Sequence, residues 1–163
     1  HGPVARHSGE PFYLHPLTVA QIVLDYNTDQ PTILGALLHD TVEDTSILLH
    51  HIEAVFGQET ASVVDTVTHL QSVEGSIFKI RLSAQEKLSR LERRGNTRGL
   101  YVKLADRMHN MRTISGHRTL SKQQRVAEET VQLYVPLAER LELHEAAQEL
   151  KSRCAQVLSR GPR

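Results

Sequence analysis

The chain has 163 residues, of which 39% are hydrophobic, and this is enough for one domain with a substantial core. Lys plus Arg and Asp plus Glu both number 19, and the resulting formal net charge of zero argues against a general nucleic-acid-binding protein, which usually carries a basic excess. A single cysteine, Cys154, excludes an internal disulfide and is typical of a reducing compartment, so we expect a cytoplasmic protein; no apolar run approaches the roughly 18 to 20 residues of a membrane span.

The first part of the chain predicts a series of helices. Apolar residues over 19–26 follow the i, i+3, i+4, i+7 spacing of a helix face. The letters "NTDQP" break this helix, and Pro31 suits the first turn of the next one. The stretch "DTSILLHHIEAVFG" predicts a helix that is capped near Thr45 or Ser46 and ends at Gly57.

Helical spacing continues through the rest of the chain, and alternating strand patterns are absent. The further helical stretches are 59–70, 78–94, 100–114 and a final stripe through Val126, Thr130, Leu133, Leu137 and Leu141. Loops are predicted between them at 72–76, 93–99 and 115–121. Pro136 predicts a kink in the final stripe, because proline lacks the N–H that a helix needs. The sequence therefore predicts an all-α fold of about seven or eight helices, in one domain over residues 1–163.

The stretch "ALLHDTVEDT", residues 36–45, places an imidazole and three carboxylates at the end of an apolar run. On a helix, His39 and Glu43 share a face, Asp40 and Asp44 share the neighbouring one, and the four side chains form one polar patch. Carboxylates so close together repel one another unless a cation neutralises them. A divalent metal ion satisfies this pattern, and so does a solvated, charged helix end. From this stretch alone both interpretations stand.

Two further motifs favour the metal. "SGEPFYLHP" presents His15 just before the first amphipathic helix, and "KLADRMHNMRT" places Asp106 among apolar residues, where an unpaired carboxylate would be costly. His15 alone is more typical of a helix start or a core than of a metal ligand, whereas Asp106 needs a partner. Together with His39 and Asp40 they give a histidine, a His-Asp pair and a distant aspartate on separate helices, which is the ligand order of HD-type phosphohydrolases.

Four motifs in succession extend this resemblance. "RHSGEPFYLHP", "ALLHDTVEDT", "VKLADRMHNMRT" and "ETVQLYVPLAERL" are similar to the signatures of the hydrolase domain of the RelA/SpoT family, over residues 6–150. Enzymes of this family remove the 3′-pyrophosphate of the alarmones ppGpp and pppGpp in the stringent response. The resemblance implies a single all-α HD domain and a metal-dependent hydrolase that forms GDP or GTP and pyrophosphate.

The resemblance also assigns roles to the residues of the site. It implies that His15, His39, Asp40 and Asp106 bind a manganese ion, although the residue types would equally accept iron, zinc or magnesium. Glu43 and Asp44 match the carboxylates that the family uses for acid–base catalysis and for orienting water, and which of the two is the base stays open. The residues that match substrate-contacting positions of the family are Arg6, His7, Asn110, Thr113 and Arg125.

Some features depart from the family pattern. His7 replaces the usual lysine or arginine, "AERLE" at 138–142 replaces "AHRLG", and the chain begins at His1 without a methionine. Two interpretations remain open: a stand-alone small alarmone hydrolase, and the hydrolase part of a bifunctional enzyme with a synthetase domain in the full-length chain. The departures favour the second. The alternative functions are an HD phosphohydrolase for another nucleotide and a non-catalytic module that binds alarmone.

Overall fold

The computed structural model describes residues 11–27, 29–68, 70–72, 79–81, 83–116 and 119–160. The helices in these ranges are α1 Leu14–Tyr26, α2 Gln30–Leu38, α3 Thr41–Asp44, α4 Leu49–Val67, α5 Ala84–Arg93, α6 Thr97–Arg112, α7 Leu120–Glu129, α8 Val135–Arg140 and α9 His144–Leu158. A 3₁₀ turn covers Ile114–Gly116, a π turn covers Thr130–Tyr134, and two short strands are β1 Leu70–Ser72 and β2 Lys79–Arg81. The predicted all-α fold class is confirmed. The described helices outnumber the seven or eight that were expected, because short turns divide predicted helices. One turn separates α2 from α3, and the π turn separates α7 from α8.

The described chain forms two compact units, one built on His15–Lys103 and the other on Leu104–Arg163. In the first unit, α1 buries the apolar face that its spacing predicts, with Val19 and Val23 fully enclosed. Pro31 lies in the first turn of α2 as expected, and Asp29 caps that helix by accepting a hydrogen bond from the Thr32 N–H. These two features fix where α1 ends and α2 begins.

Helices α2 and α4 pack closely in the first unit. A Cβ added at Gly35 would lie 2.4 Å from Cγ1 of Val63, so only glycine allows this approach. A second contact set joins the end of α2 to α3 and α4: Ile52, Ala61 and Val64 are buried, and Leu38, Val42 and Leu49 pack against them. Apolar burial on both sides therefore holds the turn between α2 and α3 in place.

The predicted cap of α4 is wrong by two to three residues, because the observed cap is Leu48. Thr45 is instead the end of α3: its hydroxyl donates to the Thr41 carbonyl oxygen and accepts from the Ile47 N–H. The helix begins at Leu49, and it runs on to Val67. Gly57 has φ 85° and ψ 165°, so the predicted break is present there as a kink inside α4.

The prediction of a helix from residue 78 and of no strands is wrong for Lys79–Arg81. This segment pairs antiparallel with Leu70–Ser72, with Leu70 opposite Arg81. Three residues are too few for an alternating pattern to be visible in the sequence. Helix α5 begins only at Ala84, after Ser83 caps it with a reciprocal Ser83–Glu86 hydrogen-bond pair. Residues 73–78 of the predicted loop and helix start lie outside the described residues.

In the second unit, α7, the π turn, α8 and α9 pack around Leu137, Leu150 and Cys154, which are almost completely buried. A kink was predicted at Pro136, and the structure has a π turn immediately before it: the N–H of Val135 donates to the Thr130 carbonyl oxygen, five residues earlier. Proline at 136 has no N–H for the regular helical bond, and the wider turn precedes it. Among the described residues no helix is both long and apolar enough to cross a membrane.

Candidate functional site

The polar patch of "ALLHDTVEDT" lies at the turn between α2 and α3. The expectation of one continuous helix is wrong, since α2 ends at Leu38 and α3 begins at Thr41. Asp40 has φ −95° and ψ −5°, in a sparsely populated region of backbone conformation where many active-site residues are found. The Asp44 N–H still donates to the Asp40 carbonyl oxygen at 2.9 Å, so the two aspartates keep a helical relation.

Three of the predicted metal ligands lie together in the first unit. His39 Nε2 is 3.1 Å from Asp40 Oδ1, and His15 Nε2 is 3.6 Å from Asp40 Oδ2. The two imidazole rings meet edge to face, with centroids 5.2 Å apart and ligand nitrogens within 4.8 Å. Both histidines are buried and the Asp40 side chain is 21% exposed. Two imidazoles therefore face the two oxygens of one carboxylate.

A backbone hydrogen bond fixes the tautomer of His39. Its Nδ1 lies 2.7 Å from the carbonyl oxygen of Ala36, one turn earlier in α2. A carbonyl oxygen only accepts hydrogen bonds, so Nδ1 carries the proton. In neutral His39 the lone pair is then on Nε2, the atom that faces Asp40. This is the arrangement in which a protein carbonyl orients a histidine as a metal ligand.

This donor set fits a cation. A neutral His39 Nε2 and a carboxylate oxygen are both acceptors, and two acceptors at 3.1 Å repel each other unless a proton or a metal ion lies between them. Nitrogen and oxygen ligands of this kind suit manganese, iron or zinc. The geometry therefore supports a His/Asp metal site and does not distinguish the ion.

The two predicted catalytic carboxylates are on α3. Asp44 has a raised pKa, because partial burial disfavours its charged form and the negative charge of Asp40 adds to the effect; His39 and His15 act in the opposite direction. Glu43 is half-buried on the same short helix. A carboxyl group with a raised pKa holds its proton at a higher pH than usual, which suits a group that exchanges protons with substrate or water.

The remaining predicted residues that the structure describes lie in the second unit. The Asp106 side chain accepts a hydrogen bond from Asn110 Nδ2 at 2.9 Å, one turn along α6. Thr113 follows the end of α6, and its hydroxyl donates to the His109 carbonyl oxygen at 3.0 Å. Arg6 and His7 lie outside the described residues.

Asn110 and Arg125 share a cleft of about 500 Å³ in the second unit, with Arg107, Val126 and Glu129 as the other lining residues. The structure thus brings together two side chains to which the resemblance assigns a role in substrate binding. The sequence analysis had placed Glu129 at the start of the fourth motif and had given it no role of its own. Its position four residues after Arg125 on α7 was the available signal, since residues at this spacing share a helix face.

Comparison with known proteins gives a matching family and a set of named relatives, including the following three. A family model described as "HD domain" matches residues 1–144. The GTP pyrophosphokinase rsh of Brucella ovis is 40% identical over 151 residues, which are 93% of this chain and 20% of the relative. The probable guanosine-3′,5′-bis(diphosphate) 3′-pyrophosphohydrolase of Synechocystis is 42% identical over 86% of this chain and 18% of the relative. The Haemophilus influenzae enzyme named guanosine-3′,5′-bis(diphosphate) 3′-pyrophosphohydrolase is 37% identical over 94% of this chain and 22% of the relative.

The chain spans about a fifth of the length of these relatives. Two solved structures share the fold. A protein of Listeria monocytogenes EGD-e aligns with TM-score 0.60 and 22% identity over 90% of this chain and 99% of that protein. A metazoan ortholog of SpoT, whose description states that it hydrolyzes ppGpp, aligns with TM-score 0.55 and 23% identity over 91% of this chain and 80% of that protein.

Proposed function

The chain belongs to the HD domain family, in its RelA/SpoT group, and on this basis we propose that it hydrolyses the 3′-pyrophosphate of ppGpp and pppGpp to give GDP or GTP and pyrophosphate. The observation that carries the proposal is the arrangement of His15 and His39 around the carboxylate of Asp40. This is the HD pair of the family signature, and its histidine is fixed in the tautomer that would bind a metal through Nε2.

We propose His15, His39, Asp40 and Asp106 as the ligands of one manganese ion. The first three are supported by their mutual distances, and Asp106 is supported by its match to the family motif. Bound there, the ion would supply Lewis-acid activation of a water molecule and of a phosphoryl oxygen. The choice of manganese follows the resemblance, since the ligand types fit several divalent metals.

Glu43 and Asp44 are proposed as the acid–base pair. One of them accepts a proton from the attacking water molecule. The oxygen of this water forms a bond to phosphorus as the bond from phosphorus to the 3′-oxygen breaks. A protonated carboxyl group can then give its proton to the leaving 3′-oxygen. The position of Asp44 one helical turn after Asp40 supports its part in this exchange.

Substrate binding is proposed for Arg6, His7, Asn110, Thr113 and Arg125. Arg6 would stack its planar guanidinium on the guanine ring, and His7 would lie beside it. Asn110 and Thr113 would contact the nucleoside, and Arg125 would contact the 5′-phosphates. The shared cleft supports the assignments of Asn110 and Arg125.

We propose that the chain acts on free nucleotide in the cytoplasm. We also propose that it is the hydrolase part of a bifunctional enzyme. The names of its relatives support this, since they include both pyrophosphokinases and pyrophosphohydrolases that share the matched region.

The decisive experiment combines metal analysis with product analysis. The purified protein, stripped with a chelator and reloaded with manganese, should convert ppGpp to GDP and pyrophosphate, and the stripped protein should not. His39→Ala should lose the tightly bound metal and melt at a lower temperature, because a ligand that binds the folded state stabilises it. His50→Ala is the control, since His50 is exposed on α4.

Three results would contradict this scheme in different ways. If His39→Ala still held a full equivalent of metal, the assignment of the metal ligands would be wrong. Release of phosphate from other nucleotides, with ppGpp left intact, would favour the alternative HD phosphohydrolase. Binding of ppGpp by the manganese-loaded protein with no turnover would favour the non-catalytic module.

A further inference from the structure

Arg107 has an enclosed side chain in the second unit. Its side chain is 13% exposed, and its guanidinium forms an ion pair with Glu129. A second nitrogen lies 3.4 Å from the Thr130 hydroxyl, and the central carbon lies 4.2 Å from the centre of the Tyr134 ring. A guanidinium keeps its proton in proteins, and the contacts with Glu129 and Tyr134 favour its positive charge. Arg107 therefore stays charged in a site made for it.

The π turn builds this site. In an α-helix, residues five apart such as Glu129 and Tyr134 point about 140° away from each other, at 3.6 residues per turn. The wider π turn over Thr130–Tyr134, closed by a bond across five residues, brings positions at this spacing closer in angle. Glu129, Thr130 and Tyr134 can then all contact one guanidinium.

Glu129 has a second potential partner. It lies four residues after Arg125 on α7, and both line the cleft with Asn110. Opposite charges at this spacing on a helix attract each other. Within the described part of the chain, Glu129 forms its ion pair with Arg107, and Arg125 forms none. A carboxylate paired with Arg125 would compete with any anionic ligand of the cleft.

We propose that Arg107 is a positioning residue that holds Glu129 away from Arg125, so that Arg125 remains available for a phosphate group of the nucleotide. This inference rests on the proposed function, because it takes the 5′-phosphates as the anionic ligand of the cleft. Arg107 acts through Glu129 and is not itself a substrate contact. The role requires a charge on Arg107, and it requires the carboxylate of Glu129 to be a competitor.

A rescue experiment on the manganese-loaded protein tests this role. Arg107→Met releases Glu129 to pair with Arg125, and KM for ppGpp should rise by roughly 10-fold, the scale of one lost charge-assisted contact, with kcat changed little. Adding Glu129→Gln to that variant removes the competing carboxylate, and KM should return to within about 3-fold of the parent. A purely structural role gives another pattern: partial unfolding lowers the active fraction and apparent kcat, KM stays constant, and the double variant gains nothing.

Two further variants keep the test decisive if Arg107→Met does not fold. Glu129→Gln alone should have a KM equal to or below that of the parent, and Arg107→Lys, which keeps the charge, should have a KM within about 3-fold of it. Glu149→Gln is the matched control for loss of an Arg–Glu pair in the same unit, and it should leave KM and kcat unchanged.

The outcomes separate the two hypotheses. A raised KM in Glu129→Gln, or a double variant as poor as Arg107→Met, would overturn the positioning role while the parent still hydrolyses ppGpp. A manganese-loaded parent that does not hydrolyse ppGpp would overturn the proposed function, and the positioning role with it.

Discussion

Replacing Gly35 by alanine should destabilise the first unit by about 1 to 2 kcal/mol. An added Cβ would lie 2.4 Å from Val63 Cγ1 and 2.9 Å from Val63 Cβ, so α2 and α4 would have to separate by about 1 Å to reach ordinary contact. Val63 is 1% exposed and β-branched, and it cannot rotate away. Overpacking of this kind costs about 1 to 3 kcal/mol, and the better helix propensity of alanine offsets up to about 1 kcal/mol.

Gly99→Ala is the matched control. Its added Cβ would meet Leu91 Cδ2 at 2.6 Å, which is the far end of a flexible side chain, and the Thr66 hydroxyl at 3.2 Å. Its cost should stay below about 1 kcal/mol, because a leucine end can move at a lower cost than a valine branch. Urea denaturation of the two variants and the parent gives both free energies of unfolding.

A double-mutant cycle locates the cause. Val63→Ala removes the contact at 2.4 Å and leaves the one at 2.9 Å, so Gly35→Ala should cost less in this background, by about 1 kcal/mol or more. Gly35→Ala should also weaken manganese binding, since α2 ends directly before His39 and Asp40. A neutral or stabilising Gly35→Ala, or additive single effects, would refute the close packing of α2 on α4.

Two more expectations concern carboxylates. Glu43→Gln and Asp44→Asn should retain metal and bind ppGpp, while turnover falls by roughly 100-fold; parental rates in both would remove them from the mechanism. Glu149 has a pKa lowered from 4.5 to about 2 by hydrogen bonds from Arg112 and Arg153, so its stabilising effect is present above pH 4.5 and is lost as the pH falls towards 2. Glu149→Gln should therefore cost about 1 kcal/mol at pH 7, after allowance for solvent screening, and nothing near pH 2, as measured by denaturation across pH; an unchanged difference at low pH would refute this. Glu139→Gln, whose pair with Lys151 is half exposed, is the control and should cost about 0.5 kcal/mol or less.

Local sequence signals predicted the features that depend on local physics. The apolar spacing of α1, the proline in the first turn of α2 and the break at Gly57 follow from helix periodicity and backbone preference. The cluster of His15, His39 and Asp40 was predicted by the resemblance to the HD motif, because the carboxylate spacing alone left two interpretations open. The tautomer of His39 was not predicted, because it depends on the distance between Nδ1 and the carbonyl oxygen of Ala36.

Features set by tertiary contacts were not predicted. The strand pair Leu70–Ser72 and Lys79–Arg81 is too short for a periodic signal. Pro136 indicated a kink, but the choice of a π turn depends on which side chains gain from the wider spacing. Thr45 has the residue type of a helix cap, yet it closes α3, because its hydroxyl bonds back to Thr41. Propensity gives the candidates, and contacts distant in the sequence select among them.

The two arginine–glutamate pairs of α6 differ in a way that supports separate roles. In the pair of Arg112 with Glu149 the side chains are 39% and 31% exposed, while Arg107 is 13% exposed beside Glu129. Taking a guanidinium out of water costs free energy that its ion pair often fails to recover, and apolar side chains of similar volume would hold two helices together at least as well. Stability alone therefore does not account for a charged pair at Arg107. What an apolar pair would lack is the ability to fix a carboxylate in one direction, and the cleft beside Arg125 is a place where the direction of a carboxylate affects the binding of an anion.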